Sequence, residues 1–257
     1  MFKGFRAYGK SISFLNNHGL SWVWFFPLIV TALVIIGGFE LTSWATDALN
    51  VLLKDFLDGQ TWLGDWQSTI GTILYWIIWL VLRILLYFAM AFIGGSIIIL
   101  IMTPVLAHVS EKVAEKLGVD VPAFSLSRFF QDIIRGLGIA LKNGTIQILL
   151  TIICFGIGFI PVIGFLSPFL MIVINAYYYG FSLIDYSLER RAMSVGDSST
   201  YAFERKFTTT GIGLPFALWM LIPFIGPMTS GFVALLGTVA ATIAVESEST
   251  SPAKTVQ

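Results

Sequence analysis

Long runs of apolar residues with few charges constrain this chain more than any other feature of its sequence. Residues 20–39 contain no charged side chain, and residues 70–102 contain a single one, Arg83. A helix of about 20 residues is about 30 Å long, which is the thickness of the hydrocarbon core of a bilayer. Charged residues make up only 12% of the chain, whereas a soluble domain has about 25%. The sequence therefore predicts an all-α integral membrane protein, with lipid around most of its surface.

Two long membrane helices are predicted, over residues 20–46 and 70–117. The first contains Pro27 well inside the apolar run, where proline is expected to bend a helix. The apolar part of the second would be about 50 Å long as one helix, so we expect it to be tilted, to be kinked or to project from the membrane. It continues through Pro104 into a charged, amphipathic segment that contains Glu111.

Two amphipathic segments, residues 1–16 and 122–143, have the pattern of helices that lie in the headgroup layer. Apolar side chains recur with helical period in both, and charged side chains occupy the other side. In the first segment the charged side consists of Lys3, Arg6 and Lys10. Basic side chains opposite an apolar stripe suit the surface of an anionic membrane, so we predict two interfacial helices.

The short sequence Ile-Pro-x-Ile-Gly occurs twice, each time between apolar arms. Pro161 and Gly164 belong to the first copy, and Pro223 and Gly226 belong to the second. Proline and glycine three residues apart mark a turn, so each copy predicts a helical hairpin. The shortest arm has about 11 residues, or about 17 Å as a helix, which is too short to cross the core. Hairpins that enter the membrane and return are favoured, and spanning hairpins stay open. The predicted hairpins are residues 146–185 and 211–245, which complete a single membrane domain of residues 1–245 before a polar tail of residues 246–257.

The distribution of lysine and arginine predicts the orientation of the chain. With two spanning helices and two returning hairpins, one side of the membrane holds 13 of the 15 cations. Basic residues are enriched on the cytoplasmic side of membrane proteins. We therefore expect a multi-pass protein with both termini in the cytoplasm.

Residues that commonly carry chemistry do not form a catalytic or metal-binding pattern in this sequence. The two histidines, His18 and His108, belong to different predicted elements, and the single cysteine, Cys154, lies in an apolar run. There is no phosphate-binding loop, dinucleotide fingerprint or nucleophile elbow. The net charge of zero gives no argument for nucleic acid. We expect no enzymatic activity, no cofactor, no metal site and no nucleic-acid partner.

Two features point to a small anion as ligand. Gly19, Leu20, Ser21 and Trp22 begin the first membrane helix, and a helix start presents unpaired N–H groups and the positive end of the helix dipole. Arg83 is predicted to lie within the membrane, where a cation is costly and usually faces a protein interior or a water-filled path. The alternative for Arg83 is that its side chain extends to a membrane surface, and for the helix start it is a simple serine cap.

The end of the first predicted hairpin is charged. Asp185 and Tyr186 are followed by Glu189, Arg190 and Arg191. Acidic and basic side chains this close are expected to form ion pairs where the chain leaves the membrane. We therefore predict a structural role for this segment.

These segments, in this order, resemble the CysZ-like sulfate permeases, a family of inner-membrane proteins of sulfate assimilation. The features in common are the start of the first long helix, a proline with glutamate seven positions later, and the two hairpins with the exit of the first. They are carried by Gly19–Leu20, Thr103–Glu111, Phe159–Tyr186 and Leu221–Pro223. The resemblance extends over most of residues 1–245.

The resemblance implies two long membrane helices, two hairpins that enter the membrane without crossing it, a homo-oligomer in the bacterial inner membrane, and a sulfate path that is independent of ATP. In the family, arginines after Gly-Leu help to hold sulfate, whereas this chain has Ser21 and Trp22 there. The implied function is a channel-like transporter of a small inorganic anion, with sulfate first, and the implied anion-binding residues are those of the helix start with Arg83. A non-transporting membrane organiser of the same fold is the alternative.

Overall fold

A computed structural model describes residues 2–58, 69–121 and 125–249, and within these ranges the chain consists of helices joined by short turns, without a strand. The predicted all-α class is therefore confirmed for the part of the chain that is described. Two short 3-10 turns, Ser21–Trp24 and Ile163–Leu166, precede longer helices. The α-helices are α1 (Phe2–Asn17), α2 (Phe25–Asp58), α3 (Thr69–Lys116), α4 (Leu126–Ile157), α5 (Ser167–Arg190), α6 (Val195–Glu204), α7 (Lys206–Trp219), α8 (Ile225–Met228) and α9 (Ser230–Ser249).

Several of these helices are long and apolar enough to cross a membrane. The chain is therefore a multi-pass membrane protein. The helix α7 has only 14 residues, or about 21 Å, and is shorter than the hydrocarbon core. The five segments that meet the criterion of length and hydropathy are Ser21–Asp55, Thr72–Lys116, Ile134–Ile157, Ile163–Arg190 and Ser230–Glu248.

The first long helix begins later and ends later than the sequence predicts. Pro27 is the third residue of α2, directly after the 3-10 turn Ser21–Trp24, so it lies in the first turn of the α-helix, where proline is tolerated. The expected bend in the interior of a membrane helix therefore does not apply to Pro27. The helix continues past residue 46 to Asp58, and α3 occupies Thr69–Lys116, where residues 70–117 were expected.

The second predicted interfacial helix and the first arm of the first hairpin form one continuous helix, α4. The reason is that residues 126–157 contain no proline that would end a helix between them. The apolar part of α4, Ile134–Ile157, has 24 residues, which is long enough to cross the hydrocarbon core. The length of this arm therefore does not favour a returning hairpin over a spanning one. Residues 122–124 of the predicted segment lie outside the described residues.

The two copies of the Ile-Pro-x-Ile-Gly repeat form the same turn. The residue after each proline has a positive φ, 70° at Val162 and 63° at Phe224. The N–H two residues after the proline donates to the proline carbonyl, at 2.9 Å in the first copy and 2.7 Å in the second, which is the hydrogen bond of a γ-turn. The glycine is required in both copies, because a Cβ at Gly164 or Gly226 would overlap a backbone carbonyl oxygen of the preceding turn. The sequence repeat is therefore a structural repeat.

Close contacts between backbones hold the centre of the bundle together. A Cβ at Gly213 of α7 would overlap the carbonyl oxygen of Ala176 in α5. Gly180 of α5 is equally close to the backbone of Thr209 in α7. Small residues at such contacts let membrane helices approach until their backbones touch.

The first helix packs against the bundle along Gly4, Ala7, Ser11 and Leu15, of which only Leu15 belongs to the apolar stripe that its sequence predicts, Phe2, Phe5, Tyr8, Ile12 and Leu15. Its small and buried residues, at intervals of three and four, pack against α7 and α9, and a Cβ at Gly4 would lie 2.7 Å from the backbone of Gly211. Phe5 and Ile12, which belong to the predicted stripe, are 56% and 48% exposed. The helix α1 therefore packs into the bundle on one side and presents apolar and basic residues on the other.

The end of α9 corrects the predicted polar tail. Glu246 is buried within α9, which continues to Ser249. Residues 250–257 of the predicted tail lie outside the described residues. The last helix therefore extends into the segment that the sequence assigns to the tail.

Candidate functional site

The start of the first membrane helix is a tight connection after α1. Gly19 has a φ of +70°, which glycine adopts without steric penalty. The N–H of Leu20 donates to the carbonyl of Leu15 at 2.9 Å, and a 3-10 turn then begins. The hydroxyl of Ser21 donates to Oδ1 of Asn16 at 3.2 Å. The serine side chain is therefore engaged within the connection.

Aromatic and imidazole rings lie against this helix start. The ring of Trp22 is 5.7 Å from the ring of Phe26 and 6.5 Å from the imidazole of His108 on α3. His18 stacks on Phe14 with the ring centres 4.0 Å apart. The contacts of the helix start are therefore with neutral or weakly basic rings rather than with the guanidinium groups that the family has after Gly-Leu.

Arg83 lies far from the helix start. It is on the same helix as His108, which contacts Trp22, but 25 residues away, or about 37 Å at 1.5 Å per residue. Its guanidinium carbon lies 4.6 Å from the ring centre of Trp79 and 5.8 Å from that of Tyr87. The predicted anion-binding residues therefore do not form one site.

A cluster of buried polar groups lies where α3, α5 and α9 meet. The side chain of Arg190 is 4% exposed. Its Nη1 donates to the hydroxyl of Ser110 at 2.9 Å and to the carbonyl of the same residue at 3.1 Å, and its Nη2 donates to Oε1 of Glu246. Arg191 donates to the other oxygen, Oε2, at 2.8 Å. The carboxylate of Glu246 thus accepts from two guanidinium groups, one at each oxygen.

Three hydroxyl groups from three helices surround this ion pair. The hydroxyl oxygen of Thr242 lies 3.0 Å from that of Ser110 and 3.3 Å from that of Ser187, and all three residues have 0% exposure. Four residues before Thr242, the hydroxyl of Thr238 is also buried and has no hydrogen-bond partner among the described residues. Positions four apart lie on the same side of a helix. Thr238, Thr242 and Glu246 therefore form a polar face of α9 that leads from the ion pair into the bundle.

The charged end of the first hairpin is paired with distant helices. The guanidinium of Arg135 on α4 forms two bonds with the carboxylate of Asp185, at 2.9 and 3.1 Å, and also donates to the hydroxyl of Ser198 at 2.6 Å. Arg205, directly before α7, donates to Glu248 of α9 at 2.8 Å. The sequence indicates ion pairing at Asp185 and Arg190, and the structure gives both residues partners on other helices, α4 and α9.

Three further residues of the predicted motifs, Pro104, Tyr186 and Glu111, lie on α3 and α5. Pro104 is exposed within α3, and Tyr186 packs against the apolar core. Glu111 is half-buried, with Oε2 3.7 Å from Nδ1 of His108. Because His108 also contacts Trp22, Glu111 is linked to the helix start through this imidazole.

Sequence analysis does not identify the hydroxyl groups of the cluster or Glu246 as site residues. The signal that could reveal them is the spacing of Thr238, Thr242 and Glu246, which is four residues each time, with only apolar residues and glycine elsewhere between residues 231 and 245. Glu246 was instead grouped with the polar residues that follow it. Its partner Arg190 lies 56 positions earlier, a distance at which no helical pattern links two residues.

The comparison with known proteins places the chain in a family. No curated protein matches it significantly. The family model described as "Sulfate transporter CysZ/Etoposide-induced protein 2.4" matches residues 7–229. The matched region includes the helix start, α3 and both Pro–Gly turns, so the resemblance inferred from the sequence is confirmed. This chain therefore belongs to the family of the sulfate transporter CysZ and etoposide-induced protein 2.4.

Proposed function

We propose that the protein is a channel-like transporter of a small inorganic oxyanion, with sulfate as the first candidate and uptake for sulfur assimilation as its use. Family membership supports this proposal. The observation that carries it is the guanidinium of Arg190, buried in a membrane bundle together with hydroxyl groups from three helices. We propose no enzymatic activity.

The cluster offers the donors that a tetrahedral oxyanion needs. A guanidinium group forms paired, charge-assisted hydrogen bonds with such an anion, and the hydroxyl groups of Ser110, Ser187 and Thr242 can replace water molecules of its hydration shell. Fixed donors are necessary because a bare anion is very unfavourable in a medium of low dielectric constant. The polar face of α9 would extend the path as far as Thr238.

The described conformation would be a closed one. The hydroxyl groups of the cluster have no exposed surface, and Glu246 accepts the hydrogen bonds of Arg190 and Arg191 that an anion would need. Passage would require the carboxylate to leave these donors while an anion takes its place. The carboxylate of Glu246 and the anion would compete for the same guanidinium donors. This competition would keep the anion bound weakly enough to be released, which conduction requires.

The other predicted features complete the proposal. The helix start at Gly19–Trp22 would be an access point at the membrane surface, with backbone N–H groups as donors. The short helix α7 supports a hairpin that enters the membrane and returns, since about 21 Å does not cross it. We further propose a homo-oligomer in a bacterial inner membrane with both termini in the cytoplasm.

Uptake of radiolabelled sulfate into proteoliposomes tests the function. We expect uptake above that of empty liposomes, and a decrease of several-fold in Thr242→Val. Thr46→Val is the matched control, because Thr46 is also a buried threonine of a membrane helix that donates to the carbonyl four residues earlier, at 2.7 Å against 2.9 Å for Thr242. Equal uptake by both variants would contradict a role for the cluster.

The alternative, a non-transporting organiser of membrane proteins, is favoured by one observation. The donors of Arg190 are engaged by Ser110 and Glu246, which also describes a purely structural ion pair. For an organiser we expect wild-type uptake equal to that of empty liposomes, no conductance in planar bilayers, and a stable partner retained during purification from membranes.

A further inference from the structure

The charges of α3 define where this helix crosses the membrane. Residues 84–110 contain no Asp, Glu, Lys or Arg, and Arg83 and Glu111 lie at the two ends of this stretch. They are 28 positions apart, or about 42 Å along the helix, and a bilayer with its headgroups is about 40–45 Å thick. The end at Glu111 is hydrated, because Lys112 and Glu115 follow with 38% and 44% of their side chains exposed. With that end at one membrane surface, Arg83 reaches the headgroup layer of the other.

The neighbouring helix α2 independently places Arg83 at the same depth, in the headgroup layer of the membrane. The contact at the helix start and the contact between Val34 and Gly94 show that α2 and α3 run antiparallel. Glu40, the first charge of α2 after its apolar run, lies six residues beyond Val34, or about 9 Å. Arg83 lies 11 residues beyond Gly94 on the same side, or about 17 Å. Arg83 is therefore about 8 Å farther out than Glu40, which is within the headgroup layer.

The surroundings of Arg83 match this level. Its guanidinium lies over the rings of Trp79 and Tyr87, and Tyr75 and Trp76 are on the preceding turn. Tryptophan and tyrosine are enriched where a helix passes through the membrane surface. The hydrogen bond of Arg83 to the hydroxyl of Tyr87 is long, at 3.5 Å, and within the described ranges no carboxylate forms an ion pair with Arg83. Most of its five N–H donors are therefore open to an acceptor from outside the chain.

We propose that Arg83 binds the phosphate of a phospholipid, in the leaflet opposite the one that holds the helix start. The guanidinium lies between the rings of Trp79 and Tyr87 with most of its donors open, and a phosphodiester accepts two parallel hydrogen bonds from arginine. Leu80 and Ile84 beside it are 53% and 45% exposed, and such apolar flanks suit the acyl chains of the same lipid. Sulfate shares this chemistry, but the exposed apolar surface beside Arg83 suits a lipid rather than a free anion. The assignment is independent of the proposed transport function.

Retention of phosphatidylglycerol tests the assignment. The protein is extracted from vesicles of phosphatidylglycerol and phosphatidylcholine in mild detergent, and bound lipid is counted by native mass spectrometry. We expect Arg83→Gln to weaken binding of the most tightly held phosphatidylglycerol about tenfold. Lys112→Gln, which removes an exposed cation of the same helix that already pairs with Glu115 at 2.9 Å, is the control and retains it. Equal retention by wild type and Arg83→Gln would overturn the assignment.

Two further experiments complete the test. The first distinguishes a lipid phosphate from free sulfate as the ligand, and the second measures the depth of residue 83 in the membrane. If calorimetry of delipidated protein shows sulfate binding that Arg83→Gln abolishes, while phosphatidylglycerol retention is unchanged, the ligand is a free anion and the lipid assignment is wrong. A nitroxide attached at Arg83→Cys, with Cys154→Ala to remove the other thiol, reports depth by its accessibility to oxygen and to a nickel chelate. We expect the accessibility typical of headgroups, and that of the hydrocarbon centre would contradict the proposal.

Discussion

Replacing Glu246 by glutamine tests whether the ion pair at the end of α9 holds the bundle together. Glu246 and Arg190 are 5% and 4% exposed, so neither charge can be hydrated when its partner is removed. Glu246→Gln keeps the size and one carbonyl oxygen but removes the charge that two guanidinium groups share. Glu248→Gln removes a similar carboxylate two residues later on the same helix, where the pair with Arg205 is 32% and 37% exposed.

The expected magnitudes differ clearly. Removing one member of a buried ion pair decreases the free energy of unfolding by about 3–5 kcal/mol. The glutamine carbonyl can still accept a hydrogen bond, which recovers about 1 kcal/mol, and leaves a loss of about 2–4 kcal/mol. An exposed ion pair contributes only about 0.5 kcal/mol, so Glu248→Gln changes the free energy of unfolding by little.

Reversible unfolding in mixed micelles, titrated with dodecyl sulfate and followed by circular dichroism, measures these differences. A double variant, Arg190→Met with Glu246→Met, should recover much of the loss, since an apolar pair leaves no buried charge. Equal free energies of unfolding for Glu246→Gln and Glu248→Gln would refute the reasoning. They would show that the Glu246 cluster is hydrated in the membrane protein.

The remaining predictions concern packing, a second ion pair and a buried phenol. Gly213→Ala forces α5 and α7 apart and lowers the thermal midpoint by several degrees, whereas Gly144→Ala, with no heavy atom within 4 Å of the new Cβ, leaves it unchanged or slightly higher. Arg135→Gln lowers the midpoint more than Lys142→Gln, because only the arginine pairs with a buried carboxylate. Tyr8→Phe removes a hydroxyl that is buried without a partner among the described residues, so stability stays equal or increases. Burial raises the pKa of the Tyr8 phenol, so the folded state keeps the proton that the unfolded state loses, and melting curves at a pH above about 10 should show a smaller loss in the variant.

Features that depend on local composition could be predicted from the sequence. The long helix α3 follows from an apolar run with one charge, and the two γ-turns follow from proline and glycine at a fixed spacing. Each of these features is decided by residues within a few turns of one another.

Features that depend on which helices meet could not be predicted. Arg190 is bonded to Ser110 and Glu246, which are 80 and 56 positions away, so only the assembled bundle shows the cluster. The level of Arg83 follows from the register of α3 against α2, not from its place within an apolar run. The continuity of α4 is not predicted, because its change from amphipathic to apolar resembles a boundary, although residues 126–157 contain no proline that would end the helix.

A density map of the reconstituted protein with selenate, a strongly scattering analogue of sulfate, tests the central claim most directly. We predict selenate bonded to Arg190 and to the hydroxyl of Thr242, with the carboxylate of Glu246 withdrawn from the guanidinium. Selenate found only at the helix start or at Arg83, or an Arg190–Glu246 pair unchanged at saturating selenate, would contradict the claim that this cluster is the anion path.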